Sequence, residues 1–177
     1  MPAFVSELIF LMAVGTVVLD VALVIKVLAL FHPPSRAQII GIGREYGLLA
    51  IFLLSTLAVA GTLIMQYAGN LQPCLLCWWQ RIFMYPIPLI SLIAIIKNQK
   101  LSDIADYVLA FSVLGFIVAL YQHLLQILPT GTIVPCDASN DCAIRLVFDF
   151  GFVTIPWMAM TIFAILFLIA LLARRRA

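Results

Sequence analysis

Charge is what this chain has least of. Ten Lys and Arg and eight Asp and Glu are spread over 177 residues, so that 10% is charged against 65% hydrophobic. The net charge of +2 excludes a nucleic-acid partner, which calls for a dense basic patch. Long polar stretches are missing as well. There is no low-complexity tract, no internal repeat and no segment suited to a separate soluble domain. A soluble fold of this length could not hide so much apolar surface at a mean hydropathy of +1.18. What the chain has in plenty is apolar blocks of about twenty residues or more, the length that crosses a bilayer core. The expected fold is an all-α integral membrane protein with five transmembrane helices.

The first block covers about 8–31. No Lys or Arg precedes it, so it lacks the basic start of a cleaved signal peptide, and it is too long for one. It reads as an uncleaved membrane helix. Asp20 and Lys26 lie within it, six residues apart and so not an i,i+4 pair. Lys26 is expected to snorkel toward the following loop while Asp20 packs against other helices. A functional intramembrane charge is the sharper alternative. A polar connection with Pro33, Pro34, Arg36 and Arg44 follows, and the Pro-Pro pair is expected to stop the first helix. The second block covers 47–68 and ends in an uncharged turn. The third, 75–96, contains Pro86 and Pro88 and should kink there. The fourth covers 107–128 and the fifth 152–172. Between them lies the longest loop, whose stretch 143–150 is expected to lie on the membrane surface as a short amphipathic helix.

Five spans put alternate loops on one side. The loops at 32–46 and 97–106 and the C-terminal tail hold seven Lys and Arg, whereas the N-terminus and the loops at 69–76 and 129–150 hold only Arg145. The positive-inside rule then predicts an extracytoplasmic N-terminus and a cytoplasmic C-terminus. All four cysteines fall on the extracytoplasmic side, in two close pairs, as disulfide chemistry requires.

Cys74 and Cys77 form a Cys-x-x-Cys at the point where a polar turn enters the third block. That spacing lets the sulfurs close a small ring, and a helix N-terminus stabilises a thiolate. Arg81 follows Cys77 by four residues on the same helical face. It can supply positive charge to a thiolate or to a reduced, anionic cofactor ring. The bland alternative is a structural disulfide beside an arginine reaching lipid phosphates. Cys136 and Cys142 are set among Asp137, Ser139, Asn140 and Asp141, in a loop fit to meet a water-soluble partner and exchange thiols with it. Alone, that pair would read as a permanent loop disulfide. Two cysteine pairs can also make a tetrahedral zinc site, but an oxidising compartment and a lipid border argue against any metal. His123, near the end of the fourth block, falls at the membrane level of Cys77 and Arg81. A lone histidine there is ordinarily a packed or interfacial side chain, although a neutral one can hydrogen-bond a quinone carbonyl or move a proton. Trp78, Trp79, Tyr85 and Trp157 read as interfacial aromatics.

The run Pro-Cys-Leu-Leu-Cys-Trp-Trp-Gln-Arg-Ile-Phe-Met-Tyr-Pro at 73–86, the Tyr-Gln-His at 121–123 and the later cysteine pair followed by Phe-Gly-Phe-Val-Thr-Ile-Pro at 150–156 resemble the disulfide bond formation protein B family (DsbB, with its Gram-positive BdbC branch). The resemblance covers about 47–173, which in that family is a four-helix bundle. It implies a thiol:quinone oxidoreductase of the bacterial cytoplasmic (inner) membrane. Such an enzyme reoxidises an extracytoplasmic, DsbA-like thioredoxin-fold oxidase and passes the electrons to the membrane quinone pool, ubiquinone or menaquinone. By the same resemblance Cys74 and Cys77 are the quinone-proximal pair, with Cys77 facing the quinone. Cys136 and Cys142 exchange with the partner, and Arg81 and His123 sit at the quinone. Two features depart from the family pattern: the first helix is additional to the usual four, and the second cysteine pair is closely spaced.

The chain thus divides into an extra membrane helix with a basic cytoplasmic loop over 1–46 and a four-helix bundle over 47–177. Two other functions compete with the resemblance. One is a vitamin K epoxide reductase-like enzyme, in which the Cys-x-x-Cys belongs to a late helix instead of an early one. The other is a non-enzymatic scaffold with two structural disulfides.

Overall fold

A computed structural model describes residues 3–128 and 142–174. Among the described residues there are six helices: α1 (Ala3–Ala29), α2 (Pro33–Tyr67), α3 (Leu75–Met84), α4 (Pro86–Ile96), α5 (Leu101–Ile127) and α6 (Ile155–Arg174). Helices α3 and α4 together make one membrane-length segment, so five segments are long and apolar enough to span a bilayer.

The helix starts differ from the sequence expectation, each for a local reason. Pro33 and Pro34 end α1 but also begin α2, because proline at the first helical positions loses no hydrogen bond and already has a helical φ. The polar connection at 32–46 is therefore mostly helix, joined to α1 by residues 30–32 alone. At 35 residues, α2 is about 52 Å long at 1.5 Å per residue, so its polar first turns extend beyond an apolar core of about 30 Å. The loop before α5 is similarly short. The Asp103 carboxylate accepts the Lys100 N–H at 3.1 Å and caps the helix at Leu101.

The expected kink sits at Tyr85. Its N–H still reaches the Arg81 carbonyl at 2.8 Å, while Pro86 and Pro88 remove the next donors. The surface helix expected over 143–150 is absent. Instead, Asp149 and Val153 pair by two backbone bonds, of 3.0 and 2.9 Å, around Phe150 (φ 54°) and Gly151 (φ 80°). Left-handed backbone at Phe150 and Gly151 would end a helix there, and upstream Arg145 is drawn back to the Gln126 carbonyl.

The bundle core joins α2, α4, α5 and α6 through Ile51, Ile87, Val108, Phe163 and Leu166. The closest approach is at Gly115. A Cβ there would stand 2.2 Å from the Phe163 ring, so only glycine lets α5 and α6 meet so closely. Helix α1 packs outside this core against α2 and α6, where Val5, Ile9 and Ala13 meet Met65, Val153 and Met158.

Candidate active site

Cys74 is the N-cap of α3, and Cys77 stands in its first turn. Their sulfurs lie 3.3 Å apart as thiols, a little over 1 Å from disulfide bonding distance. The link with Cys77, followed by burial, pushes the Cys74 thiol well above its ordinary value. Cys142 is buried at 1% exposure in one cluster with Cys74, Leu76 and Leu125, and its proximity helps raise the Cys74 thiol. Cys136 lies outside the described residues.

Cys142 is held in place by the residues after it. Arg145 donates from Nε to the Gln126 carbonyl at 2.8 Å, and Gln126 Nε2 donates to the Ile144 carbonyl at 3.2 Å. These bonds pin the returning loop to the end of α5, where unpaired helix carbonyls favour a cation.

Two glutamines not singled out from the sequence complete the sulfur site. Gln122 of α5 donates from Nε2 to Cys74 at 3.3 Å and to Cys77 at 3.4 Å. Gln80, one turn past Cys77, donates to Gln122 Oε1 at 2.6 Å and fixes that amide. Both are buried. The signal available in the sequence was two polar residues inside apolar segments, each within one turn of a residue already of interest.

Arg81 is 8% exposed. Its guanidinium donates to Gln66 Oε1 and, at 3.3 Å, to the Thr62 carbonyl, and it lies 5.1 Å from the centre of the Trp78 ring. An arginine about 10 Å down a membrane helix needs such partners, because its solvation is lost there.

A cavity of about 310 Å³ opens beside this group. Cys77, Gln80, Arg81 and Gln122 line it, and most of the remaining lining is apolar, with Leu54, Ala58 and Ile162 among it. A flat amphiphile with polar ring oxygens and an apolar tail fits that distribution of donors and hydrocarbon. His123 is not on the wall. It faces the other way, with Nδ1 3.1 Å from Thr154 Oγ1 and its ring 5.1 Å from that of Trp157. One residue is a turn of about 100° on a helix, which is why Gln122 reaches the cavity and its neighbour does not. Among the described residues no cluster of His, Cys, Asp or Glu could hold a metal ion.

The family model described as "Disulfide bond formation protein DsbB" matches residues 44–173. The "SPbeta prophage-derived disulfide bond formation protein B" of Bacillus subtilis (strain 168) is 38% identical over 123 residues, 70% of this chain and 82% of that protein. The "Probable disulfide formation protein C" of Halalkalibacterium halodurans is 38% identical over 129 residues, 72% of this chain and 93% of its own length. A "Probable disulfide formation protein" of Oceanobacillus iheyensis is 40% identical over 130 residues, 72% and 88% of the two chains. No solved structure matches the chain. Helix α1 lies wholly before the matched region.

Proposed function

The chain belongs to the DsbB family of disulfide bond formation proteins, and we propose that it is a thiol:quinone oxidoreductase that reoxidises an extracytoplasmic, DsbA-like thioredoxin-fold partner. The observation that carries this reading is the seat of Cys142 against Cys74, with Cys77 and Arg81 on the cavity wall beyond. The sidedness is that of the positive-inside count: N-terminus and cysteines outside the cytoplasmic (inner) membrane, C-terminus in the cytoplasm.

The reduced partner attacks the Cys136–Cys142 disulfide and leaves oxidised, having delivered two electrons to that pair. Because Cys142 is buried, the partner's attack falls on Cys136, which releases the Cys142 thiolate. Cys142 then attacks Cys74 and forms a Cys74–Cys142 bond as the Cys74–Cys77 bond breaks and Cys77 leaves as thiolate. Attack of Cys136 on Cys142 re-forms the loop disulfide and returns Cys74 as a thiol, its raised proton affinity favouring that form. Gln122 holds both sulfurs at this junction and Arg81 sets a fixed cation on the cavity wall. A quinone bound in the cavity, ubiquinone or menaquinone, supplies the two-electron acceptor that returns the dithiol to a disulfide.

The test is oxidation of a reduced thioredoxin-fold partner by the purified chain with quinone present. Cys77→Ser should abolish it, and a Cys136→Ser chain, which keeps the Cys74–Cys77 disulfide but lacks the thiol that resolves the exchange, should show a Cys74–Cys142 bond by non-reducing peptide mapping. Partner oxidation by Cys77→Ser at the wild-type rate would overturn the reading.

A further inference from the structure

Helix α1 lies outside the region that matches the family, yet it is built into the cavity. Met12, Gly15, Thr16 and Leu19 all line it, facing residues of α2 and α6 across the space. A helix that merely leaned on the bundle would meet only lipid and side-chain surface. Two features hold this one in register.

Asp20 is the first. Its carboxyl oxygens accept from Trp157 Nε1 at 2.9 Å and Thr161 Oγ1 at 2.6 Å. The two donors are four residues apart, on one face of α6. In a bilayer, where apolar contact gives little net drive between helices, a doubly bonded carboxyl fixes both rotation and depth. Second, Met12 packs at Gly61 of α2, where an added Cβ would come within 2.8 Å of the methionine Cε. Within α1, the Thr16 hydroxyl turns back to the Met12 carbonyl at 2.8 Å and withdraws its polarity from the space. Beside it, Gly15 leaves room: a Cβ there would meet nothing within 4 Å. The stretch of α1 that faces the cavity is therefore apolar, with one small opening.

We propose that α1 is the wall of the acceptor cavity that receives the prenyl chain of a quinone, and that Gly15 and Leu19 set which chain is admitted, with Asp20 as the positioning residue that keeps this wall in place. This rests on the quinone reading of the cavity. The ring oxygens would turn to Gln80, Arg81 and Gln122, and the isoprenoid chain would run along α1 between α2 and α6.

The full chain, pre-reduced and freed of reductant in lipid nanodiscs, is mixed with a prenyl-free benzoquinone or with one bearing several isoprenoid units, and loss of protein thiols is followed. Gly15→Phe should slow reoxidation by the prenylated quinone about tenfold and leave the prenyl-free rate within about twofold. Leu19→Ala, which enlarges the wall, should narrow the wild-type preference between the two acceptors about threefold or more. A diazirine on the prenyl chain should label α1 between Met12 and Leu19, a readout independent of turnover and of any variant's folding. Labels confined to 44–173, or equal effects of Gly15→Phe on both quinones, would overturn the assignment of α1 while leaving the quinone reading in place. Failure of the wild-type dithiol to reduce either quinone would overturn both.

Discussion

Gln122 donates from its side-chain nitrogen to the sulfur of Cys74 at 3.3 Å, across the interface of two membrane helices. A neutral amide is the donor that suits a sulfur alternating between thiol, thiolate and disulfide. It supports the charged form without adding a fixed charge of its own. Gln80 holds that amide in turn. Gln122→Leu should slow reoxidation of the Cys74–Cys77 dithiol about tenfold. It should also cost about 1–3 kcal/mol of stability, because the Gln80 amide loses its acceptor in a buried site. Stopped-flow thiol titration and thermal unfolding in detergent measure the two effects. Unchanged reoxidation would reduce Gln122 to a packing role.

Arg81 joins α3 to α2 through Gln66 and the Thr62 carbonyl. Lysine cannot reproduce a planar fork shared between two acceptors. Arg81→Lys should therefore raise the KM for quinone about fivefold and Arg81→Ala about thirtyfold or more, with the KM for the thiol partner unchanged. Equal rises for both substrates would point to misassembly in place of a lost cavity contact.

The Cys74 thiol is held above its ordinary value of 9.0, first by the Cys77 contact and then by burial. The folded protein therefore favours the protonated form. This group's share of the reduced protein's stability is whole below about pH 9 and is lost as pH rises past it. The unfolding midpoint of the reduced chain should fall more steeply between about pH 8 and 10 than that of Cys74→Ala. Parallel curves would show that the thiol is no more protected than a free one.

Gly115→Ala places a methyl group inside the van der Waals radius of the Phe163 ring. The expected loss is about 1–3 kcal/mol, the usual cost of overpacking a close interface. Phe163→Leu should recover part of it in the double variant. A destabilisation unaffected by the second change would place the strain elsewhere.

The five spans were legible because a bilayer demands about twenty apolar residues per crossing, and no other pattern in the chain competes with that. Their ends were less so. Pro33 carries the same letters whether it closes one helix or opens the next. The stretch 143–150 had the composition of a surface helix, yet Phe150 and Gly151 take left-handed backbone and Arg145 is drawn to the end of α5. Tertiary bonds of that kind leave no local trace. At the site, Cys74, Cys77 and Arg81 stood out because thiols and a cation are rare among apolar neighbours. Gln80 and Gln122 did not, since a glutamine in an apolar helix does not reveal what it faces. The packing of Asp20 against other helices was expected; that its donors are Trp157 and Thr161 required the fold.

The seat of Cys142, only 1% exposed, has a consequence for stray reductants. Small dissolved thiols diffuse to exposed sulfur, but here both Cys142 and Cys74 are buried in one cluster with Leu76 and Leu125. Under the proposed exchange, electrons would enter the membrane-side pair through this buried contact, and stray reductants in the surrounding fluid would have little access to it.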